Sequence, residues 1–267
     1  MSPRRLLLRT GVLLYLALLL ALPLATLLVR TFTHGPGPVL AALTSPDALS
    51  ALGLSLLITA VAVPLNALFG LGLALAVAHH RMPWPRLAAA LANLPLALSP
   101  VVAGLGLFLL YGRTGLFGGL LAVHGVQVLF APPGMILATV FVTLPFVLRA
   151  VLPVLEGRGR DEEEAAATLG APALAIFWRV TLPRIRQALA YGAVLTAAFA
   201  MGEYGAVSIV SGQVLGVTET LTIHAAIAYS AFDLPGTFAT SLLLLLASTL
   251  LLIAMRALRP EEVAHVD

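Results

Sequence analysis

Long apolar runs, separated by short polar or charged segments, alternate along the whole chain. A helix needs roughly 20 predominantly apolar residues to cross the hydrocarbon core of a bilayer. We predict six such membrane-crossing helices, at residues 11–29, 54–78, 88–110, 133–155, 187–210 and 236–256. The pattern therefore predicts an all-α membrane protein with six transmembrane helices.

Composition agrees with this pattern and excludes several classes of protein. Hydrophobic residues make up 60% of the 267 residues and charged residues only 10%, which is too little polar surface to cover a soluble core. The chain has no cysteine, so disulfides and thiolate metal sites are excluded. Its basic charge lies in short loops rather than on one face, which argues against a nucleic-acid partner.

The arginines predict the orientation in the membrane. With a cytoplasmic N-terminus, thirteen arginines fall on the inside and only Arg30 and Arg113 on the outside. This asymmetry is the one that the positive-inside rule expects, and it supports an even number of crossings with both termini cytoplasmic. The apolar run near the N-terminus is longer than a typical signal-peptide core, so we interpret it as the first transmembrane helix rather than a cleaved signal.

One cytoplasmic segment, residues 156–186, holds 10 of the 27 charged residues. Residues 161–164 are acidic and suit a helix N-terminus, where the macrodipole favours negative charge. The alanines that follow favour helix. Gly170 can end that helix in the left-handed conformation, and Pro172 suits the first turn of a second helix. The segment is predicted to form a helix–turn–helix beneath the membrane.

The second short helix of this segment carries an apolar face. Leu174, Phe177 and Trp178 are spaced three and four residues apart and therefore share one side of a helix. We predict that Leu182-Pro183 ends this helix and redirects the chain into the fifth span. The face could lie on lipid headgroups, but the acidic cluster would be repelled by an anionic inner leaflet. A protein partner fits better.

The segment resembles the EAA loop of bacterial ABC importer permeases. The positions that carry the resemblance are Glu164, Ala165, Ala166, Gly170, Val180, Leu182 and Pro183, with valine where the family usually has isoleucine. In that family the loop forms the coupling helices that dock into a cleft of the cytoplasmic ATPase dimer. The resemblance implies that residues 156–186 are the coupling loop of a single transmembrane permease domain spanning 1–267, with the type I importer fold.

Further stretches narrow the family. "TLPFVLRAVLPVLEGRGRDEEEAAATLGA", "FWRVTLPRI", "MGEYGAVSIVSG" and "TETLTIHAAIAYSAFD" are similar to the sulfate/thiosulfate permeases, and within those to the W-type subunit, with molybdate permeases as close relatives. The resemblance implies inward transport of sulfate or thiosulfate across the cell inner membrane by alternating access. The implied partners are an ATPase dimer, a second, T-type permease and an extracytoplasmic binding protein. Molybdate or tungstate is the alternative substrate.

The candidate substrate pathway lies near the outer part of the fifth span. Glu203 is an acid in a membrane segment and hence a functional candidate. Because a carboxylate repels a dianion, its candidate roles are gating, helix pairing or a protonated state; alternatively it lies at the aqueous outer mouth, where its charge costs little. Ser208, Ser211 and Gly212 could offer hydroxyl or backbone N–H groups to an oxyanion, or could simply pack between helices. Relatives often carry arginine four residues before the glutamate, where this chain has Phe199.

Other classes of function are less well supported by the residues. The histidines form no metal-ligand pattern; His224, in a predicted outer loop with Thr218, Glu219, Thr220 and Thr222, could face a binding protein or merely fill the loop. A phosphate-binding loop of the G-x-x-x-x-G-K type needs lysine, which is absent, so ATP and Mg²⁺ are expected on a separate ATPase chain and no cofactor on this one. An intramembrane protease would need a partner acid for Glu203, and an ion-driven secondary transporter would give the EAA-type loop no role.

Overall fold

The computed structural model describes residues 3–33, 35–79, 84–157 and 159–257. Three arginines counted in the topology argument and three of the histidines lie outside these ranges: Arg81, Arg158, Arg259, His34, His80 and His265. Within the described ranges the chain forms helices α1 (Pro3–Leu16), α2 (Leu22–Phe32), α3 (Pro36–Leu43), α4 (Pro46–Ala78), α5 (Pro85–Ala92), α6 (Leu94–Ala97), α7 (Pro100–Tyr111), α8 (Gly118–Val123), α9 (Pro132–Gly157), α10 (Asp161–Thr168), α11 (Ala173–Ile176), α12 (Leu182–Gly202), α13 (Gly205–Val210), α14 (Leu221–Ser230) and α15 (Leu234–Ala257), with π-helical turns at Ala17–Ala21 and Phe177–Thr181.

Four of the six predicted spans are single long apolar helices. In the described part of the chain, the segments long and apolar enough to cross a membrane are Arg9–Phe32, Pro46–Ala78, Pro132–Gly157 and Leu234–Leu251. They correspond to the first, second, fourth and sixth predicted spans. The predicted boundaries are close to the observed ones, except that α4 begins eight residues before the predicted start at residue 54.

The third and fifth predicted spans are each divided into shorter helices in the structure. The third is divided into α5, α6 and α7, with breaks at Asn93 and at Leu98–Ser99. A proline stands in the first turn after each break, where its missing N–H needs no partner. The fifth leaves the helical conformation at Glu203, whose ψ is 124°, and restarts as α13.

The prediction that Leu182-Pro183 ends a helix was wrong. The helix continues from α11 through the π-helical turn Phe177–Thr181 into α12. Leu22-Pro23 follows the other π-helical turn in the same way. Proline inside a helix lacks a donor and clashes with the carbonyl four residues earlier. In a π turn the N–H bonds to the carbonyl five residues earlier instead of four, as the Leu182 N–H does to the Phe177 carbonyl. The helix can therefore accommodate the proline without ending.

The core is built around α9, which packs between α4 and α12. Val147 of α9 is fully buried, and glycines approach it from both sides: a Cβ on Gly70 would lie 2.8 Å from its Cβ, and one on Gly192 2.9 Å from its Cα. Small residues at such crossings let helix backbones approach closely, which drives association in membranes. The helix α15 packs against α12, α14, α2 and α3 on the outside of this core.

A buried polar contact supports the same packing. Asn66 of α4 donates from Nδ2 to Thr143 Oγ1 of α9 at 2.6 Å, and the Thr143 hydroxyl donates to the Thr139 carbonyl at 2.6 Å. All three side chains are fully buried. Such hydrogen bonds hold apolar helices in register, because the alternative is an unpaired polar group in hydrocarbon.

Candidate functional site

The coupling segment folds as its local sequence predicts. Residues Asp161–Glu164 form the first turn of α10. Gly170 has φ +84°, and the bonds from Gly170 N–H to the Ala167 carbonyl and from Ala171 N–H to the Ala166 carbonyl form a Schellman motif. Pro172 is the residue before α11 rather than part of its first turn, a shift of one position from the prediction. Two short helices therefore meet at a glycine turn.

The positions that carry the EAA resemblance lie mostly on the surface of this segment. Glu164, Ala165 and Gly170 are exposed, whereas Ala166 is half-buried. Apolar side chains surround them: Leu169 is 89% exposed, Leu174 70% and Trp178 59%. Isolated exposed apolar residues are common, but a group on one short segment marks an interaction surface. We call these three residues the apolar ridge.

The predicted face of the second helix is only partly exposed. Leu174 and Trp178 point outward, while Phe177 is half-buried and meets the indole edge-on with ring centroids 5.4 Å apart. Val180 and Leu182 are half-buried at the π-helical turn, and Pro183 is exposed on the first turn of α12. The structure thus brings the predicted coupling residues onto one continuous segment from α10 to α12.

A groove of about 550 Å³ lies between this segment and the end of α4. Its lining includes Gly72 and Leu75 of α4, Ala167 of α10, and Ile176 and Phe177 of the second helix. A polar contact joins the coupling helices to the core at the edge of this groove.

That contact is made by Glu163, a residue that sequence reasoning did not select. Its carboxylate is buried, with 8% of the residue exposed, and accepts a 2.6 Å hydrogen bond from the Thr181 hydroxyl at Oε1. His79, the residue that follows α4, places Nε2 3.2 Å from Oε2. One carboxylate therefore joins α10, the π-helical turn and α4. Three consecutive glutamates carry no signal that the second one faces inward.

A weaker contact lies at the surface beside it. Arg184 Nε is 3.6 Å from Glu162 Oε2, and an Nη group of Arg184 donates to the Gly159 carbonyl at 3.4 Å. Because Glu162 is largely exposed, water screens this pair and it contributes little to stability. The buried Glu163 contact is the stronger link between the segment and the core.

Glu203 lies at the break between α12 and α13. The residue is buried, and Oε1 accepts a 2.8 Å hydrogen bond from the Ala206 N–H, three residues later. Its own carbonyl accepts from the Thr222 hydroxyl of α14 at 2.8 Å. The side chain therefore caps α13, while the backbone joins this break to α14.

The other predicted pathway residues follow the same break and bond within their own segment. The Ser208 hydroxyl donates to the Gly205 carbonyl at 3.0 Å, and Ser211 Oγ accepts from the Gln213 N–H at 3.3 Å. A Cβ on Gly212 would lie 3.3 Å from Thr218 Oγ1. Both hydroxyls therefore bond to backbone groups of their own segment in this structure.

The loop before α14, for which a surface facing a binding protein and simple loop packing were both open, turns most of its polar residues inward. Thr218, Glu219 and Thr220 are buried, and Glu219 is only 1% exposed. Its Oε1 lies 2.8 Å from Nδ1 of His224, while Oε2 is buried with no hydrogen-bond partner among the described residues. The Leu221 N–H donates to Ser55 Oγ of α4 at 2.9 Å. This loop packs the outer end of the core, because its polar groups bond inward.

The comparisons with known proteins agree across most of the chain. A protein family described as "Binding-protein-dependent transport system inner membrane component" matches residues 7–262. The sulfate transport system permease protein CysW of Synechococcus elongatus is 46% identical over 232 residues, which cover 87% of this chain and 81% of that protein. CysW of Escherichia coli is 44% identical over 236 residues, 88% of this chain and 81% of that one.

More distant relatives extend the comparison. The sulfate transport system permease protein CysT of Salmonella typhimurium is 36% identical over 247 residues, 92% of this chain and 89% of that protein. A chain in the crystal structure of a bacterial alginate ABC transporter, in complex with an alginate pentasaccharide-bound periplasmic protein, superimposes with a TM-score of 0.75 over 96% of this chain and 93% of its own. At 15% identity that likeness concerns the fold alone.

Proposed function

The chain belongs to the family of binding-protein-dependent transport system inner membrane components, and we therefore propose that it is the permease subunit of an ATP-driven importer of sulfate or thiosulfate. The observation that carries this proposal is the similarity to sulfate permeases across more than four fifths of the chain. The greater identity with CysW than with CysT supports a role as the W-type subunit.

The proposed topology has six crossings with both termini in the cytoplasm and the type I importer fold. The interrupted segments α5–α7 and α12–α13 supply the third and fifth crossings. Irregular backbone at membrane depth is tolerated where other protein or a water-lined cavity satisfies its polar groups. In this topology α9 is the fourth crossing and leads directly into the cytoplasmic coupling loop.

The coupling loop gives the ATPase dimer a place to dock. The apolar ridge and the exposed positions of α10 form the docking surface, and Glu163 connects it to the core. When ATP and Mg²⁺ close the ATPase dimer, movement of α10 reaches α4 through the carboxylate contact with His79. The continuous helix carries the same movement into α12. This chain itself binds neither ATP nor metal in the proposed mechanism.

Two further partners complete the proposed importer. A T-type permease forms the second half of the pathway, and an extracytoplasmic binding protein delivers the anion to the outer opening. Alternating access then follows from rearrangement of the two permeases around the anion. Specificity for one tetrahedral oxyanion over another lies largely with the binding protein.

ATP hydrolysis by the reconstituted complex tests the proposal. The chain would be placed in lipid with its second permease and its ATPase, and the binding protein would be added loaded with sulfate, thiosulfate, molybdate or phosphate in turn. Stimulation by sulfate or thiosulfate is expected. Stimulation by molybdate alone would keep the architecture and overturn the substrate, and failure of the ATPase to associate would overturn the importer.

A further inference from the structure

An exposed arginine lies within the most buried of the long apolar helices. Of the four candidate spans, α9 has the largest buried share, and its residues 145–148 are all buried, yet Arg149 is exposed. Eight residues separate it from the end of α9 at Gly157, which places it about 12 Å from that end at 1.5 Å per residue. In the proposed topology this arginine, one of the thirteen counted on the inside, lies in the cytoplasmic half of the fourth crossing.

A neutral amide holds this guanidinium in place. Arg149 Nε donates to Asn93 Oδ1 at 2.8 Å, and Asn93 Nδ2 donates to the Ala89 carbonyl at 2.7 Å. The second bond fixes the amide so that its oxygen faces the arginine. Asn93 stands at the break between α5 and α6, so the interruption of the third span is what brings the amide to this position.

The charge of Arg149 is not neutralised by any described residue. The ion pairs found in the described part of the chain involve Glu162, Glu163 and Glu219, and none of these reaches Arg149. Arginine has five N–H donors in a planar fork, and Asn93 takes only the one on Nε. The remaining donors, on the two Nη atoms, have no acceptor among the described residues.

Aromatic rings bound the same surface. Phe146, one turn before Arg149 on α9, packs against Phe199 of α12 with ring centroids 4.4 Å apart, and Phe199 is 50% exposed. An aromatic pair thus lies one helical turn from the fixed cationic fork. Charged groups at membrane depth are costly and mark ion or substrate pathways when they face a cavity.

We propose that Arg149, positioned by Asn93, is an oxyanion-binding site in the cytoplasmic half of the transport pathway. The inference rests on the proposed function. It names the residue that binds the dianion after the dianion has passed the outer half of the transport pathway. The planar fork matches two oxygens of a tetrahedral oxyanion. An amide partner orients the fork while leaving its charge available to the anion, which a carboxylate partner would not do.

The same fork could instead bind the phosphate of a lipid headgroup. The substitution Asn93→Asp distinguishes a transported oxyanion from a lipid phosphate as the ligand. Aspartate keeps the acceptor for Arg149 Nε but adds a negative charge beside the fork. In the transport site this charge repels the passing dianion, so uptake falls. If Arg149 instead binds a lipid phosphate, the substitution converts the amide contact of Arg149 into an ion pair and leaves anion uptake unchanged.

The test is uptake of radiolabelled oxyanion by vesicles containing the complete transporter, normalised to folded complex. Arg149→Gln and Asn93→Asp are each expected to lower uptake by about tenfold or more, the factor that loss of a hydrogen bond to a charged group implies. Arg149→Lys should retain more uptake than Arg149→Gln. Arg86→Gln, which alters an exposed arginine of α5, is the matched control and should stay within about twofold of the unmodified protein.

Each result decides between the hypotheses. If the unmodified transporter moves sulfate, thiosulfate or molybdate and both variants move it equally well, the Arg149 site is refuted and the importer stands. If Arg149→Gln lowers only the yield of folded complex, and more so in vesicles rich in anionic lipid, the fork binds lipid and the site is again refuted. If the unmodified transporter moves none of these anions, the proposed function fails and this site fails with it.

Discussion

Thr181→Val should loosen the coupling loop from the core without changing its shape. Valine retains the β-branched volume of threonine but removes the hydroxyl that donates to Glu163 Oε1 at 2.6 Å. Thr181 is 4% exposed and Glu163 is 8% exposed, so water cannot readily replace the lost donor. A hydrogen bond to a charged group contributes about 1.5–3 kcal/mol, and the carboxylate would keep only its contact with His79.

The expected result is a rise in local opening of α10. Because 1.4 kcal/mol corresponds to tenfold in an equilibrium constant, the loss predicts roughly 10- to 150-fold weaker protection of amides in and after α10. Hydrogen exchange read by mass spectrometry on the complete transporter in lipid measures this protection directly. The looser link should also raise the ATP hydrolysed for each anion transported.

Thr168→Val is the matched control for this measurement. Thr168 belongs to the same helix, but its hydroxyl donates to the Glu164 carbonyl at 2.7 Å within that helix and is exposed. Its removal should change protection by no more than about twofold, because water takes over the freed carbonyl. Equal protection in the Thr181 and Thr168 variants would refute the argument that Glu163 connects the loop to the core.

Two other substitutions test separate parts of the structure. Gly170→Ala places a side chain at φ +84°, which costs about 1–2 kcal/mol and should weaken ATPase binding measured by co-purification. Gly119→Ala, where a Cβ also meets nothing within 4 Å and no positive φ is present, should leave binding intact, and equal effects of the two would contradict the turn geometry. His224→Ala leaves the buried Glu219 carboxylate without a described partner and should cost about 1–3 kcal/mol, the penalty for an unsatisfied buried polar group, seen as a lower thermal unfolding temperature in detergent. His124→Ala, at an exposed position, is its control, and similar temperatures for both variants would refute the buried pair.

The features that the sequence alone determined depend on neighbours a few residues apart. The acidic first turn of α10, the left-handed Gly170 and the four long apolar helices follow from capping, turn and hydropathy rules that act within one or two turns of helix. The spacing from Glu164 to Pro183 is local in the same sense, which is why the resemblance to a coupling loop could be recognised and the family proposed before any fold was known.

Tertiary structure decided which side chains of these helices face inward. Glu163 rather than Glu164 is buried because its carboxylate turns toward Thr181 and His79, and nothing in three consecutive glutamates indicates that rotation. The helix passes Leu182-Pro183 because a π-helical turn absorbs the proline, and proline by itself predicts a stop.

The pairs formed across the chain were decided in the same way. Asn93 and Arg149 are 56 residues apart, and only the packing of the broken third span against α9 brings the amide to the guanidinium. In a nearly all-apolar helix, periodicity carries little information about which face is buried. The sequence therefore determined where the long apolar helices lie, while packing decided which of their few polar groups meet.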